Sequence, residues 1–213
     1  MQSTQFDRIL RRIATILSVV ILSLCLMYVS TGVLLSFYYE PTAGGAYNSL
    51  KMIDTEVAYG WLFHRAHDIS GNVMIAIALI QIVVMFLGRQ FRNSWLVAWV
   101  SGIFFTLSAI GLDWTAMILD WTQEGYWRFN IELGNIEAIP VIGTQLRDIL
   151  TGGGAISSIT VQHLYTLHSD IISVVAIVLA VVHFAALMWQ ERQMYTQPTE
   201  KTIQLSGASL AEG

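Results

Sequence analysis

Four stretches of this chain, 13–39, 69–88, 93–112 and 171–190, each run for twenty residues or more without a single charge. About twenty apolar residues in a helix cross the ~30 Å hydrocarbon core of a bilayer. Lipid offers the backbone no hydrogen-bond partners, so only helices and closed barrels can cross it, and no strand-like alternation competes within these runs. The expected fold is an all-α integral membrane protein: a four-helix transmembrane bundle. Composition supports a lipid solvent, since 12% of residues are charged against about 25% in soluble domains.

The first run follows Arg8, Arg11 and Arg12, as a secretory signal would. Its 27 uncharged residues are too many for a signal, however, and Phe37-Tyr38-Tyr39-Glu40 is no cleavage site of small residues. It is read as a retained span. Lys and Arg then set the expected orientation. Arg8, Arg11, Arg12, Arg89, Arg92, Arg192 and Lys201 fall on one side, and Lys51, Arg65, Arg128 and Arg147 on the other. Both termini are therefore expected in the cytoplasm of a bacterial inner or equivalent energy-transducing membrane. The first and third connections then face outward, to the positive side. The net charge of −4 gives no sign of nucleic-acid binding. Cys25, mid-span, reads as a small core residue.

Residues 1–192 are expected to form the membrane domain, and 193–213 a polar, unstructured cytoplasmic tail. The third connection, roughly 113–169, is longer than a link requires. Its segment from Trp127 to Leu150 mixes apolar residues with Arg128, Glu132, Glu137, Arg147 and Asp148, as short interfacial helices do. Thr151-Gly152-Gly153-Gly154 reads as a turn rather than a phosphate cradle, because no Gly-Lys-Ser/Thr follows it.

The five histidines fall in two places: His64 and His67 lead into the second span, and His163, His168 and His183 belong to the fourth. Ionisable groups at such depths are costly and are functional by default. His67 and His168 stand near the outward ends of antiparallel spans, where they can reach one level and bind the two axial positions of a haem iron. Spacing alone leaves open that they are hydrogen-bonded core residues.

Several segments together resemble the amino-terminal half of cytochrome b, in the short split form of photosynthetic cytochrome bf complexes, the b-six type. They are GVLLSFYYEP (32–41), Gly60-Trp61-Leu62 leading into His67, Trp99-Val100-Ser101-Gly102, Trp121 with Gly125-Tyr126-Trp127, EAIPVIG (137–143) and LYTLH (164–168). The resemblance implies two haems between the second and fourth spans, on His67 with His168 outward and on the positions of Gln81 and His183 inward. Gln81 follows His67 by fourteen residues, which is within about 40° of the same face and ~21 Å deeper. A carboxamide is a poor haem ligand. Ile16, Val84, Met188 and Ser18 also stand where the family carries its extra haem cysteine, inward cations and an inward glycine. One haem b is therefore expected, outward. His183 is left as a candidate ligand for a second haem, alone or completed by a methionine such as Met85.

At the outward site, the resemblance makes Gly32 and Ala116 the small residues beside the haem. His64 and His163 occupy the positions of propionate-binding arginines, and Arg65 is a neighbouring source of fixed charge. Asp113 is read as an interfacial acid or part of a proton path. The family's Pro-Glu-Trp-Tyr segment lies in a carboxy-terminal half that this sequence does not contain, and Arg128 and Phe129 replace smaller pocket residues. The expected function is a single-haem electron-transfer subunit of a membrane redox complex. Its expected partners are quinone or a redox subunit: a carboxy-terminal cytochrome b half, an iron–sulfur protein or a c-type cytochrome. The alternatives are a haem-poor anchor subunit, or a two-haem quinol-oxidising cytochrome b with an unusual inward ligand.

Overall fold

The computed structural model describes the backbone of residues 5–88 and 93–211, and side chains over 5–88 and 94–193. In chain order the helices are α1 (Gln5–Ser36), α2 (Ala46–Glu56), α3 (Gly60–Leu87), α4 (Asn93–Leu119), α5 (Gln123–Glu137), α6 (Gly143–Thr151), α7 (Ser158–Thr166) and α8 (Ser173–Ala211). A π-helical segment, Leu167–Ile172, joins α7 to α8 without a break. Among the described residues, four helices are long and apolar enough to cross a membrane: Gln5–Ser36, Gly60–Leu87, Ser94–Leu119 and Ser158–Gln193. The bundle has a terminal end, where the chain enters and leaves, and a loop end, where α2, α5 and α6 gather.

The helices reach past the uncharged runs at the loop end. Arg65, Asp68, Asp113 and Asp170 interrupt those runs, yet all four lie in continuous helix with exposed side chains. The third connection accordingly shortens from the expected 113–169 to the residues between Leu119 and Ser158. The tail also departs from expectation, because α8 continues to Ala211; side chains past 193 lie outside the described residues. So do Arg89, Arg92 and the Lys201 side chain, part of the charge pattern behind the expected orientation.

Local signals explain the ends at the loop side. The Thr122 hydroxyl accepts from Gly125 N at 3.1 Å and starts α5. Ser157 and Thr160 form a reciprocal capping box at α7, which satisfies amides that a helix start leaves without partners. Gly152, Gly153 and Gly154 turn the chain with φ of 77°, 90° and 82°, a region that glycine adopts without steric cost. On α5 and α6, Arg128 pairs with Glu132 at 3.0 Å and Arg147 with Glu137 at 3.4 Å.

Three apolar layers stack along the bundle. Ile118, Leu119, Phe129, Leu133, Val161 and Leu164 close the loop end. Ile21, Cys25, Met74, Ala78, Phe105, Ala109, Ala176 and Ala180 form the middle. Ala14, Met85, Trp95, Ala98, Ala186 and Leu187 close the terminal end. Polar side chains are left two levels, one on either side of the middle layer.

Candidate cofactor site

His67 on α3 and His168 in the π-helical segment meet between the loop-end and middle layers, with ring centroids 6.3 Å apart and planes inclined by 55°. A π turn inserts one residue into a helical face and is frequent at functional sites. Here it carries His168 and Asp170.

Hydrogen bonds fix which nitrogen of each ring is free. His67 Nδ1 lies 2.9 Å from the Tyr28 carbonyl and 3.2 Å from Thr31 Oγ1. A carbonyl can only accept, so Nδ1 carries the proton and Nε2 keeps its lone pair. His168 Nδ1 lies 2.8 Å from Thr115 Oγ1. That hydroxyl gives its only proton to the carbonyls of Gly111 and Leu112, so it accepts from His168, and Nε2 is again the free nitrogen. Imidazoles that bind metals are oriented in this way, by an oxygen acceptor on the other nitrogen.

The residues fit a haem by three observations. Two metal–imidazole bonds of about 2 Å plus the two ring radii reproduce the observed centroid separation. Cavities of about 300 and 330 Å3 flank the pair, lined jointly by Tyr28, His64, His67, Ala116 and Asp120. Gly32 approaches so closely that a Cβ there would stand 2.9 Å from the His67 ring. One group competes: the Tyr28 ring stacks on His67 at 3.9 Å, and its hydroxyl donates to His168 Nε2 at 3.3 Å. A ligand at Nε2 displaces that hydroxyl.

The neighbouring residues divide. His64 lines both cavities and donates from Nδ1 to Asp54 at 2.9 Å. Arg65 and Asp113 line one of them, and Gly32 lines the other. His163 is exposed and donates from Nδ1 to the Ile149 carbonyl at 2.8 Å, and it lines neither cavity. Phe129 is fully buried in the loop-end layer, while Arg128 points outward against Glu132. Reading the sequence missed Tyr28, Thr31 and Thr115. The last two stand immediately before the small residues Gly32 and Ala116 and were detectable as their neighbours. Nothing in the sequence marks Tyr28.

Below the middle layer the polar residues bond to neighbouring backbone. Gln81 Nε2 donates to the Ala14 carbonyl at 3.0 Å, which ties α3 to α1. His183 Nδ1 donates to the Ala98 carbonyl at 2.7 Å, and its ring packs so closely on Gly102 that a Cβ there would lie 3.0 Å away. A cavity of about 20 Å3 lies further toward the terminal end, lined by Ala14, Met85, Trp95 and Gln190 among others.

Comparison with known proteins agrees with the resemblance. The family model described as cytochrome b/b6/petB matches residues 3–191. Cytochrome b6 of Auxenochlorella protothecoides is 32% identical over 165 residues, covering 78% of this chain and 77% of the relative. Cytochrome b6 of Mastigocladus laminosus is 31% identical over the same length. A chain of a hyperthermophilic respiratory Complex III superposes with a TM-score of 0.70 at 21% identity, over 83% of this chain and 47% of that one.

Proposed function

Because the chain belongs to the cytochrome b/b6 family, a family of haem-containing electron-transfer membrane subunits, we propose that it carries one haem b, held by His67 and His168 on the outward side. A haem there supplies a one-electron ferric/ferrous couple. The chain's own residues hold and tune the site. The Tyr28 carbonyl, Thr31 and Thr115 aim the two Nε2 atoms, and the small Gly32 and Ala116 leave room beside the rings. His64 and Arg65 stand toward the propionates, and Asp54 orients the His64 ring. His163, held on Ile149, contributes less.

The subunit exchanges electrons with quinone or with a redox partner at the outward face. Partners of suitable chemistry are a carboxy-terminal cytochrome b half, an iron–sulfur protein or a c-type cytochrome. Both termini then lie in the cytoplasm. The observation that carries this reading is the facing His67–His168 pair, each ring oriented by an oxygen at Nδ1. A haem-free anchor is the competing reading. A reduced-minus-oxidised spectrum of the purified chain separates them: a b-type band present in the wild type and lost in both His67→Ala and His168→Ala supports the site. A colourless wild type, or a band that survives both substitutions, refutes it.

A further inference from the structure

Between Thr166 and Ser173 the fourth span takes in one residue more than an α-helix would. The buried residues on either side show what this achieves. Val161 and Leu164 pack in the loop-end layer, and Ala176 and Ala180 in the middle layer, so all four face into the bundle. At 100° per residue, an unbroken α-helix would leave Leu164 and Ala176 about 120° apart, and Val161 and Ala180 about 100° apart. One residue absorbed in the π-helical segment Leu167–Ile172 brings the first pair within about 20° and the second into line.

The same rotation governs His168. Counted back from Ala176, it would stand about 80° off that residue's face in unbroken helix, and it stands about 20° from it with one residue absorbed. The π turn therefore sets the direction in which the ring meets Thr115 and His67.

Such a turn passes over one carbonyl. The Ser173 amide donates to the His168 carbonyl, five residues back, instead of to the Ser169 carbonyl that an α-helix would use. A span in lipid has no water to supply the missing bond. The Ser173 hydroxyl donates to that same Ser169 carbonyl, so the side chain returns the bond that its own amide withdraws. Ser23, Ser30 and Ser108 make the same type of bond, to the carbonyls of Val19, Leu26 and Phe104. Those three lie within α-helices, where the carbonyl also accepts from the backbone. Their hydroxyls are added to an amide bond, whereas that of Ser173 replaces one.

We infer that Ser173 is a positioning residue for His168: its hydroxyl stabilises the π turn, and the π turn sets the rotation of the imidazole. Without the hydroxyl, the Ser169 carbonyl regains a partner when the Ser173 amide returns to the α-helical register. That register turns the segment before it by about 100° relative to α8 and carries His168 away from Thr115. The functional meaning rests on the reading of His168 as a haem ligand; the rotation itself does not.

Ser173→Ala in the full chain tests this. The low-spin signal of a haem held by two imidazoles should weaken in the ferric EPR spectrum. Haem affinity should fall roughly tenfold, because an orphaned carbonyl costs more than an average hydrogen bond contributes. Ser173→Thr, which keeps the hydroxyl, should restore both. Ser108→Ala, which deletes the same type of bond from an α-helical carbonyl, should change neither. Spectra of 15N-histidine in the reduced chain in lipid bilayers read the ring with or without haem. The His168 Nδ1–H signal, identified by its loss in His168→Ala, should shift in Ser173→Ala and stay in place in Ser108→Ala. A wild type that lacks a haem band but shows this shift would defeat the haem reading and support the role of Ser173. An unmoved His168 signal in Ser173→Ala, a Ser173→Thr chain as impaired as Ser173→Ala, or an equal effect of Ser108→Ala overturns that role.

Discussion

Thr115 has a single hydroxyl proton and gives it to its own helix, so the only bond it can make with His168 is to receive one. That decides the ring's tautomer without any ligand. Tyr28 acts in the opposite sense, since its hydroxyl bonds the nitrogen that the proposed haem iron would take. A typical hydrogen bond contributes about 1 kcal/mol net, so Tyr28→Phe should tighten haem binding by a factor of about five, read by haem titration of the apo chain. Unchanged or weaker binding would show that the hydroxyl does not compete. A second tyrosine lies outside the spans. Tyr39 donates to the Leu119 carbonyl at 2.8 Å and stacks on Tyr165, and burial raises its phenol pKa above the ordinary value. A raised folded value means that the bond's contribution is whole below about pH 10, the unfolded value, and is lost as pH rises beyond it. Tyr39→Phe should therefore lower stability by about 1 kcal/mol at neutral pH, with the gap to wild type narrowing above pH 10 in thermal unfolding. A gap independent of pH would contradict the assignment.

At the scale of elements, the spans were legible and their ends were not. Uncharged runs mark where a helix meets lipid, but Arg65, Asp68 and Asp170 sit in helix beyond those runs, because the outer turns can expose charge while the backbone stays helical. The π segment was not legible at all, because Leu167–Ile172 reads like the turns around it and only the three-dimensional hydrogen bonding reveals the extra residue. The partner of His64 was equally hidden: Asp54 is ten residues away, and only the turn between α2 and α3 brings them together. His163 was assigned by sequence position to the haem edge, but its ring turns to Ile149. The element most directly tied to the site is α7, which leads straight into His168. Its capping box on Ser157 holds the first turn, so Ser157→Ala should cost about 1 kcal/mol and make the haem band disappear at lower temperature on heating. An unchanged melting profile would show that α7 is held by packing alone.

For the whole molecule, three apolar layers enclose two polar levels, and the levels differ in what they can hold. The upper level has facing imidazoles whose Nδ1 atoms bond to oxygens, with the Tyr28 hydroxyl at His168 Nε2, and cavities of about 300 and 330 Å3 beside them. The lower has one imidazole and a glutamine, each bonded to a neighbouring backbone carbonyl. The glutamine was legible in the sequence as the odd residue at a ligand's place. Its bond to Ala14 was not, because that depends on how closely α1 and α3 pack. Under the proposed one-haem reading, an electron that enters at the His67–His168 level would have no second haem within this chain to carry it across. The most direct measurement is haem per chain, by pyridine haemochrome absorbance against quantitative amino-acid analysis of the purified protein. This account predicts one haem b per chain, kept in His183→Ala; two per chain with one lost in that variant, or none in the wild type, would contradict it.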